Sequence, residues 1–202
     1  LDIVSYFSKD TAVKIIYFYP RHDLKEAYET AGASLEFLNL KGKYSFFSGI
    51  YRLVKLLKKE KPDLVVSSIM RANLISRIAC KITGTVIVGT FVNDSYGAVR
   101  VEEHKKRGQF AKFRFFWLLD KWTSRLCKHW ISNSSYIASS NAKELGINPA
   151  EIHVIYRGRD AKNINPWSPS NIDDKQGFKF VYIGRLIKIK GELELIRELS
   201  IL

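Results

Sequence analysis

Short apolar runs alternate along this chain with stretches whose apolar positions recur every three or four residues, and the alternation holds up to about residue 156. Runs 1–7 and 13–19, rich in Ile, Val, Tyr and Phe, predict strands, the second closed by Pro20. Asp23 stands where an N-cap would precede a helix that Gly32 ends. A short strand is predicted over 34–40. Over 46–59, Phe46, Phe47, Ile50, Leu53, Val54 and Leu57 share one stripe, while Arg52, Lys55, Lys58 and Lys59 lie off it, which predicts an amphipathic helix. A buried strand over 63–67 follows. Next come a helix over 71–82 carrying Leu74, Ile75, Ile78, Ala79 and Ile82, closed by Gly84, and an apolar strand over 85–91. A polar loop (92–97) and a basic run (104–107) lead to a long aromatic helix from 110 to about 127. Then come a strand at 130–132, a helix over 134–145 ended by Gly146, and a strand over 152–156.

Strands that are apolar right across must be covered on both faces, so this order predicts an α/β, Rossmann-like, doubly wound parallel sheet over residues 1–156. The texture changes over 157–176, where Pro166, Pro169 and the Asp173–Asp174 pair read as an interdomain linker. Residues 177–202 offer a fresh strand and a helix from about Gly191. One such unit cannot bury its own apolar faces, so it reads as the first β-α unit of an incomplete second domain. The lone methionine is Met70, and the chain opens in a strand pattern and stops in a helical one. It is expected to be a piece of a longer polypeptide.

Composition narrows the partners. The 202 residues are 46% hydrophobic and 13% aromatic, enough to fill a core, and the net charge of +13 favours an anionic partner. Charge does not choose among a phosphorylated ligand, an anionic membrane surface and nucleic acid. Cys80 and Cys127 have no CxxC or metal spacing and read as small core residues of a reduced, cytosolic chain. No run approaches the about 20 apolar residues of a membrane span, and no signal-peptide pattern opens the chain, which reads as soluble or peripheral. The four histidines show no paired spacing, so no metal site is expected.

Candidate chemistry gathers at 178–191. An apolar run ends on Gly184, Arg185 follows, and Lys190 precedes Gly191, where a helical pattern opens. A glycine turn brings backbone close, a helix start offers unpaired N–H groups, and two cations balance charge, as a diphosphate requires. On these residues alone the plain reading, a β-turn-α corner with solvated cations, outweighs the functional one, because short glycine motifs are common. Asn93 and Asp94 follow an apolar strand at its carboxyl end, where open α/β sheets bind ligands. They suit contact with an acceptor hydroxyl, and equally a polar turn leading to Gly97. Asn73 holds a similar place one strand earlier and fits a helix cap better.

The segment 148–160, the linker, and then Val181-Tyr-Ile-Gly-Arg-Leu-Ile-Lys-Ile-Lys-Gly191 together resemble the domain junction of retaining glycosyltransferases of family 4, with the GT-B fold. Lys61-Pro-Asp-Leu-Val-Val and Trp130-Ile-Ser-Asn-Ser-Ser-Tyr-Ile fit the same family. The resemblance implies an acceptor-side domain, a linker and the start of a donor-binding domain. It maps donor binding onto Gly184, Arg185, Lys190 and Gly191, with Arg185 and Lys190 as the catalytic cations that stabilise the leaving diphosphate without a metal or other cofactor. Two departures are visible. Arg157 stands where the family has Asn, and Val92-Asn93-Asp94 stands where many members carry a loop histidine.

In the helix over 110–127, Ala111, Phe115, Leu118, Leu119, Trp122 and Leu126 form an arc expected to pack on the sheet. Phe110, Phe113, Phe116 and Trp117 fall beside Arg114, Lys121 and Arg125. That second face suits either an anionic headgroup zone or a neighbouring helix.

The leading expectation is a sugar transferase with a nucleotide-diphospho-sugar donor, a carbohydrate or lipid-linked acceptor, and retention at the anomeric carbon. It would be cytoplasmic and peripheral at the inner face of a membrane. The alternative is a non-catalytic basic module for nucleic acid or anionic surfaces; nucleic acid is disfavoured, because no RNP, zinc or helix-turn-helix pattern is present. A third option, kept open by Arg157 and the missing loop histidine, is an inactive relative.

Overall fold

The computed structural model describes residues 4, 10–20, 23–40, 42, 45–158, 181–184 and 191–200. The chain divides into two compact units, Leu1–Arg159 and Asp160–Leu202.

In the first unit, β1 (Lys14–Tyr17) and β2 (Ser34–Phe37) pair in parallel, joined through α1 (Lys25–Thr30). After α2 (Phe46–Glu60) comes a four-stranded parallel sheet of β3 (Leu64–Ser68), β4 (Val86–Phe91), β5 (His129–Ser132) and β6 (Ile152–Val154), in that order across the sheet. Each connection in it carries a helix, as parallel pairing requires. These are α3 (Met70–Thr83) after β3, α4 (Ala98–Lys106) and α5 (Phe110–Ser124) after β4, and α6 (Ser135–Leu145) with a 3-10 turn (Pro149–Glu151) after β5. In the second unit the described residues hold α7 (Glu192–Leu199).

Local sequence explains the boundaries. Gly84 and Gly146 end α3 and α6 with φ of +74° and +70°, a conformation that costs glycine nothing. The Ser134 hydroxyl accepts from the Ile137 N–H at 3.2 Å and caps α6.

Several expectations need correcting. Strand 1–7 lies almost wholly outside the described residues, and Val4 within it is helical. Of the strand expected over 178–183, Val181–Ile183 is irregular and the rest lies outside the described residues. Leu24, not Asp23, is the N-cap of α1. Phe47 is 83% exposed, turned away from the buried side of α2 that Leu53, Leu56 and Leu57 form. α4 was not expected, because its VRVEEHKK pattern has too few apolar positions to show a helical stripe.

The largest correction concerns α5. Phe113, Asp120, Thr123 and Ser124 are buried, Phe110, Phe116 and Trp117 half-buried, whereas Phe115, Leu118 and Trp122 are exposed. The face assigned to the sheet points outward, and the face considered for a membrane packs inward.

The core gathers Leu38, Leu53, Leu57, Ile75, Ala79, Cys80, Ile87, Phe91, Cys127, Trp130 and Leu145 between sheet and helices. Both thiols are buried, and burial, with Cys127 nearby, pushes Cys80 up to about 11. Trp130 is wholly buried and stacks on Phe91 with centroids 4.4 Å apart and planes 4° apart. Gly89 is its register partner on β4, and a Cβ there would lie 2.4 Å from the indole. Because neither ring has room to withdraw, Gly89→Ala is expected to cost about 1–3 kcal/mol. Urea denaturation should show a lower midpoint at unchanged slope; a midpoint equal to that of the parent protein would show that the ring can move.

Candidate functional site

The site is built where two neighbouring parallel strands end. β3 passes into α3 through the single residue Ile69, with φ +73° and ψ +143°. That region is nearly reserved for glycine, so a β-branched residue there is a strained joint held by its surroundings. It brings Ile69, Met70 and Asn73 to one wall of a cavity of about 380 Å³. The end of β4 supplies Thr90 and Phe91, followed by Val92 and Asn93. α4 and α5 close the far side with Arg100, His104, Lys112, Phe113, Phe116 and Asp120, and Asn141 reaches in from α6. This is the carboxyl-end crevice in which open α/β sheets hold ligands.

Loop 92–97 is fastened along its length. The Asn133 amide donates to the Val92 carbonyl at 3.3 Å, and the Asn141 amide donates to the Asn93 carbonyl at 3.1 Å. The Asp94 carboxylate accepts from the Ser140 hydroxyl at 2.8 Å and from the Tyr136 phenol at 3.3 Å. Tyr96 is buried against Phe113 and Trp117 and donates its phenol to Asp120. Burial, and then the Asp120 charge, push the Tyr96 phenol up, so it stays a donor.

Asp120 is in turn paired with Arg77. The guanidinium is 0% exposed, lies 2.5 Å from the carboxylate, also donates to the Thr123 hydroxyl at 3.2 Å, and stacks over the Trp130 ring at 4.7 Å. A buried charge is tolerable only when paired in this manner. The Arg77–Asp120–Tyr96 chain therefore joins α3, α5 and the loop into one rigid wall.

Among the described residues, two side-chain amide oxygens on cavity-lining residues have no donor. Asn73 is 4% exposed and Asn141 1% exposed, and the Oδ1 of each is buried without a hydrogen-bond partner. A buried acceptor left unpaired costs about 1–3 kcal/mol.

The residues singled out in the sequence fall as follows. Asn93 lines the cavity. Asp94 is not among the lining residues; its carboxylate holds the loop to α6. Asn73 is not a cap, since Ile69 is the N-cap of α3 and Asn73 sits within the helix. Gly184 lies in an exposed bend, and Gly191, at φ +74°, is the N-cap of α7. Arg185 and Lys190 lie outside the described residues. The first turn of α7 carries Glu192 and Glu194, which favour the helix dipole but compete with any anion at that end. The Arg77–Asp120–Tyr96 chain escaped sequence reading. A signal existed in matching polar spacings, Asn73, Ser76 and Arg77 on one helix against Asp120, Thr123 and Ser124 on another.

Parallel β-α units with a polar cavity at the carboxyl ends of adjacent strands define a Rossmann-like half of the GT-B type. The chain belongs to Glycosyltransferase Family 4, whose sequence profile matches residues 3–163. The capsular polysaccharide biosynthesis glycosyltransferase CapH of Staphylococcus aureus is 26% identical over 188 residues, covering 90% of this chain and 47% of CapH. The chain thus spans about half the length of this curated relative. Among solved structures, HepE of Anabaena in complex with UDP-glucose matches with a TM-score of 0.54 at 17% identity, over 73% of this chain and 37% of HepE. A glycosyltransferase from Rickettsia africae matches with a TM-score of 0.50 at 17% identity, over 75% of this chain and 38% of its own. At such identities the shared property is the fold.

Proposed function

We propose that this chain is the acceptor-side half, with the beginning of the donor-side half, of a glycosyltransferase that moves a sugar from a nucleotide-diphospho-sugar to a carbohydrate or lipid-linked acceptor with retention. The observation that carries this reading is the cavity at the carboxyl ends of β3 and β4, lined by Asn73, Asn93 and Asn141 together with Arg100 and His104. Membership of the family supports the reaction class, and the complex of HepE with UDP-glucose supports the donor class. Asn93 offers an acceptor contact, while Asp94 keeps its loop in place. Arg185 and Lys190 carry the donor diphosphate, and Gly184 and Gly191 give its phosphates room. In the reaction the bond from the anomeric carbon to the diphosphate breaks, the acceptor oxygen bonds to that carbon, and the acceptor proton leaves with the diphosphate. Charge grows on the departing oxygen, where fixed cations stabilise it. The test uses the complete protein with UDP-sugars and a panel of glycoside and lipid-linked acceptors. Proton NMR of the product should show the donor's anomeric configuration; an inverted product would overturn retention, and no transfer from any nucleotide-sugar would overturn the assignment.

The same reading places the enzyme at the inner face of a membrane. Among the described residues no helix is long and apolar enough to cross a bilayer. Two helices nonetheless present aromatic groups beside cations. α5 shows Phe115, Leu118 and Trp122 near Arg114 and Arg125, and α2 shows Phe47 and Tyr51 near Arg52, Lys55 and Lys58. Such faces suit an anionic headgroup layer. Co-sedimentation should favour phosphatidylglycerol vesicles over phosphatidylcholine vesicles, with Phe115→Ser/Trp122→Ser weakening the preference; equal partition into both would remove the membrane from the account.

A further inference from the structure

His104 lines the cavity from α4 with hydrogen-bonding capacity that no described residue uses. It is half-buried, and its ring stacks on Phe113 with centroids 4.5 Å apart and planes 20° apart. Phe113 is itself buried and packs against Tyr96 and Trp117, so an aromatic stack fixes the plane of the imidazole. The Nδ1 is buried without a hydrogen-bond partner, and Nε2, equally unpartnered among the described residues, keeps contact with solvent.

No carboxylate of α4 or α5 is free to take this ring. Glu102 is paired with Lys105 at 3.0 Å and Glu103 with Arg107 at 2.7 Å. Asp120, the one carboxylate among the described lining residues, is held by Arg77 and Tyr96. Packing does not call for a histidine either. α4 has no buried residue, and a leucine or phenylalanine would cover Phe113 without leaving a desolvated nitrogen unpaired.

From these contacts we infer that His104 is an acceptor-binding residue whose Nε2 hydrogen-bonds a hydroxyl of the acceptor sugar. The inference rests on the cavity being the acceptor site and adds a group that sets which sugars it takes. An imidazole nitrogen pairs with a hydroxyl as donor or as acceptor. A sugar that lacks that hydroxyl, or turns it away as an epimer does, leaves the nitrogen unpaired and is rejected.

The test uses the chain and the methyl α-glycosides of glucose, galactose, mannose and N-acetylglucosamine as probes. Diethyl pyrocarbonate, which acylates accessible imidazoles, is followed at each histidine by peptide mass spectrometry. Without sugar His104 should react, as the exposed His129 and His153 do. With at least one glycoside its modification should slow, while that of His129 and His153 does not. Binding is read in parallel from backbone NMR shifts at Asn73 and Asn93. His104→Phe, which keeps the stack on Phe113, should weaken the bound glycoside about threefold to tenfold, the range of one hydrogen bond. His104→Gln, whose amide reaches the position of Nε2, should lose less. Both variants should unfold at the urea midpoint of the parent protein, since no protein hydrogen bond is lost. A glycoside that shifts Asn73 and Asn93 but leaves His104 modification and His104→Phe binding unchanged would overturn the inference while the acceptor cavity stands. An unreactive His104 in the sugar-free chain would assign the ring to packing and overturn it as well. No shift with any of the four glycosides would overturn the acceptor cavity and the inference together.

Discussion

Replacing Asp120 by Ala is expected to destabilise the first unit by about 3–5 kcal/mol, the typical consequence of leaving one buried charge without its partner. Arg77 has no solvent to turn to, since its guanidinium is fully covered and its Nε and Nη2 already lack partners among the described residues. Its remaining contacts, the Thr123 hydroxyl and the Trp130 ring, do not replace a carboxylate. Asp120→Ala also strips Tyr96 of its acceptor, which should loosen loop 92–97 before the sheet unfolds. The double replacement Arg77→Met/Asp120→Leu removes both charges and should recover much of the loss, because an apolar pair of similar volume often matches a buried ion pair. Urea denaturation of the three variants measures this. A loss under about 1 kcal/mol for Asp120→Ala would mean that water reaches the pair, as it does at exposed ion pairs.

In the complete protein, Arg185→Ala together with Lys190→Ala is expected to lower turnover of a nucleotide-sugar by about a hundredfold to a thousandfold or more, on the scale seen when fixed transition-state electrostatics are removed. Donor affinity should fall as well, since the ground-state diphosphate already carries charge. The carboxylates of Glu192 and Glu194 at the start of α7 sharpen the expectation, because the helix end cannot hold an anion alone. Steady-state kinetics and nucleotide titration read both effects; donor affinity equal to that of the parent protein would show that the glycine corner is only a turn.

Most of the architecture could be read in advance because strand and helix patterns differ in period and the caps are chemically distinct. Gly84, Gly146 and Ser134 all mark the boundaries they were expected to mark. The orientation of α5 could not be read, because that helix has two apolar faces and periodicity cannot rank them. The decision fell to a polar interaction, Asp120 with Arg77, between residues distant in sequence. For the same reason the cavity was only half visible. Asn93, and Asn73 one strand earlier, stood out after apolar strands, although Asn73 read better as a cap, whereas Arg100, His104 and Lys112 reach the site through helix packing that no local pattern encodes. α4 went unseen because most of its positions are charged, with Lys105 paired to Glu102 and Glu103 to Arg107, which leaves a weak apolar signature.

Gly89 facing Trp130 across β4 and β5 also limits how those two strands can find each other. A slip by one position would set Val88 or Thr90 against the indole, where neither the ring nor the stacked Phe91 leaves room for a branched side chain. Misaligned pairings are thus rejected by steric exclusion during assembly, and the glycine works as a notch that admits its key in one alignment.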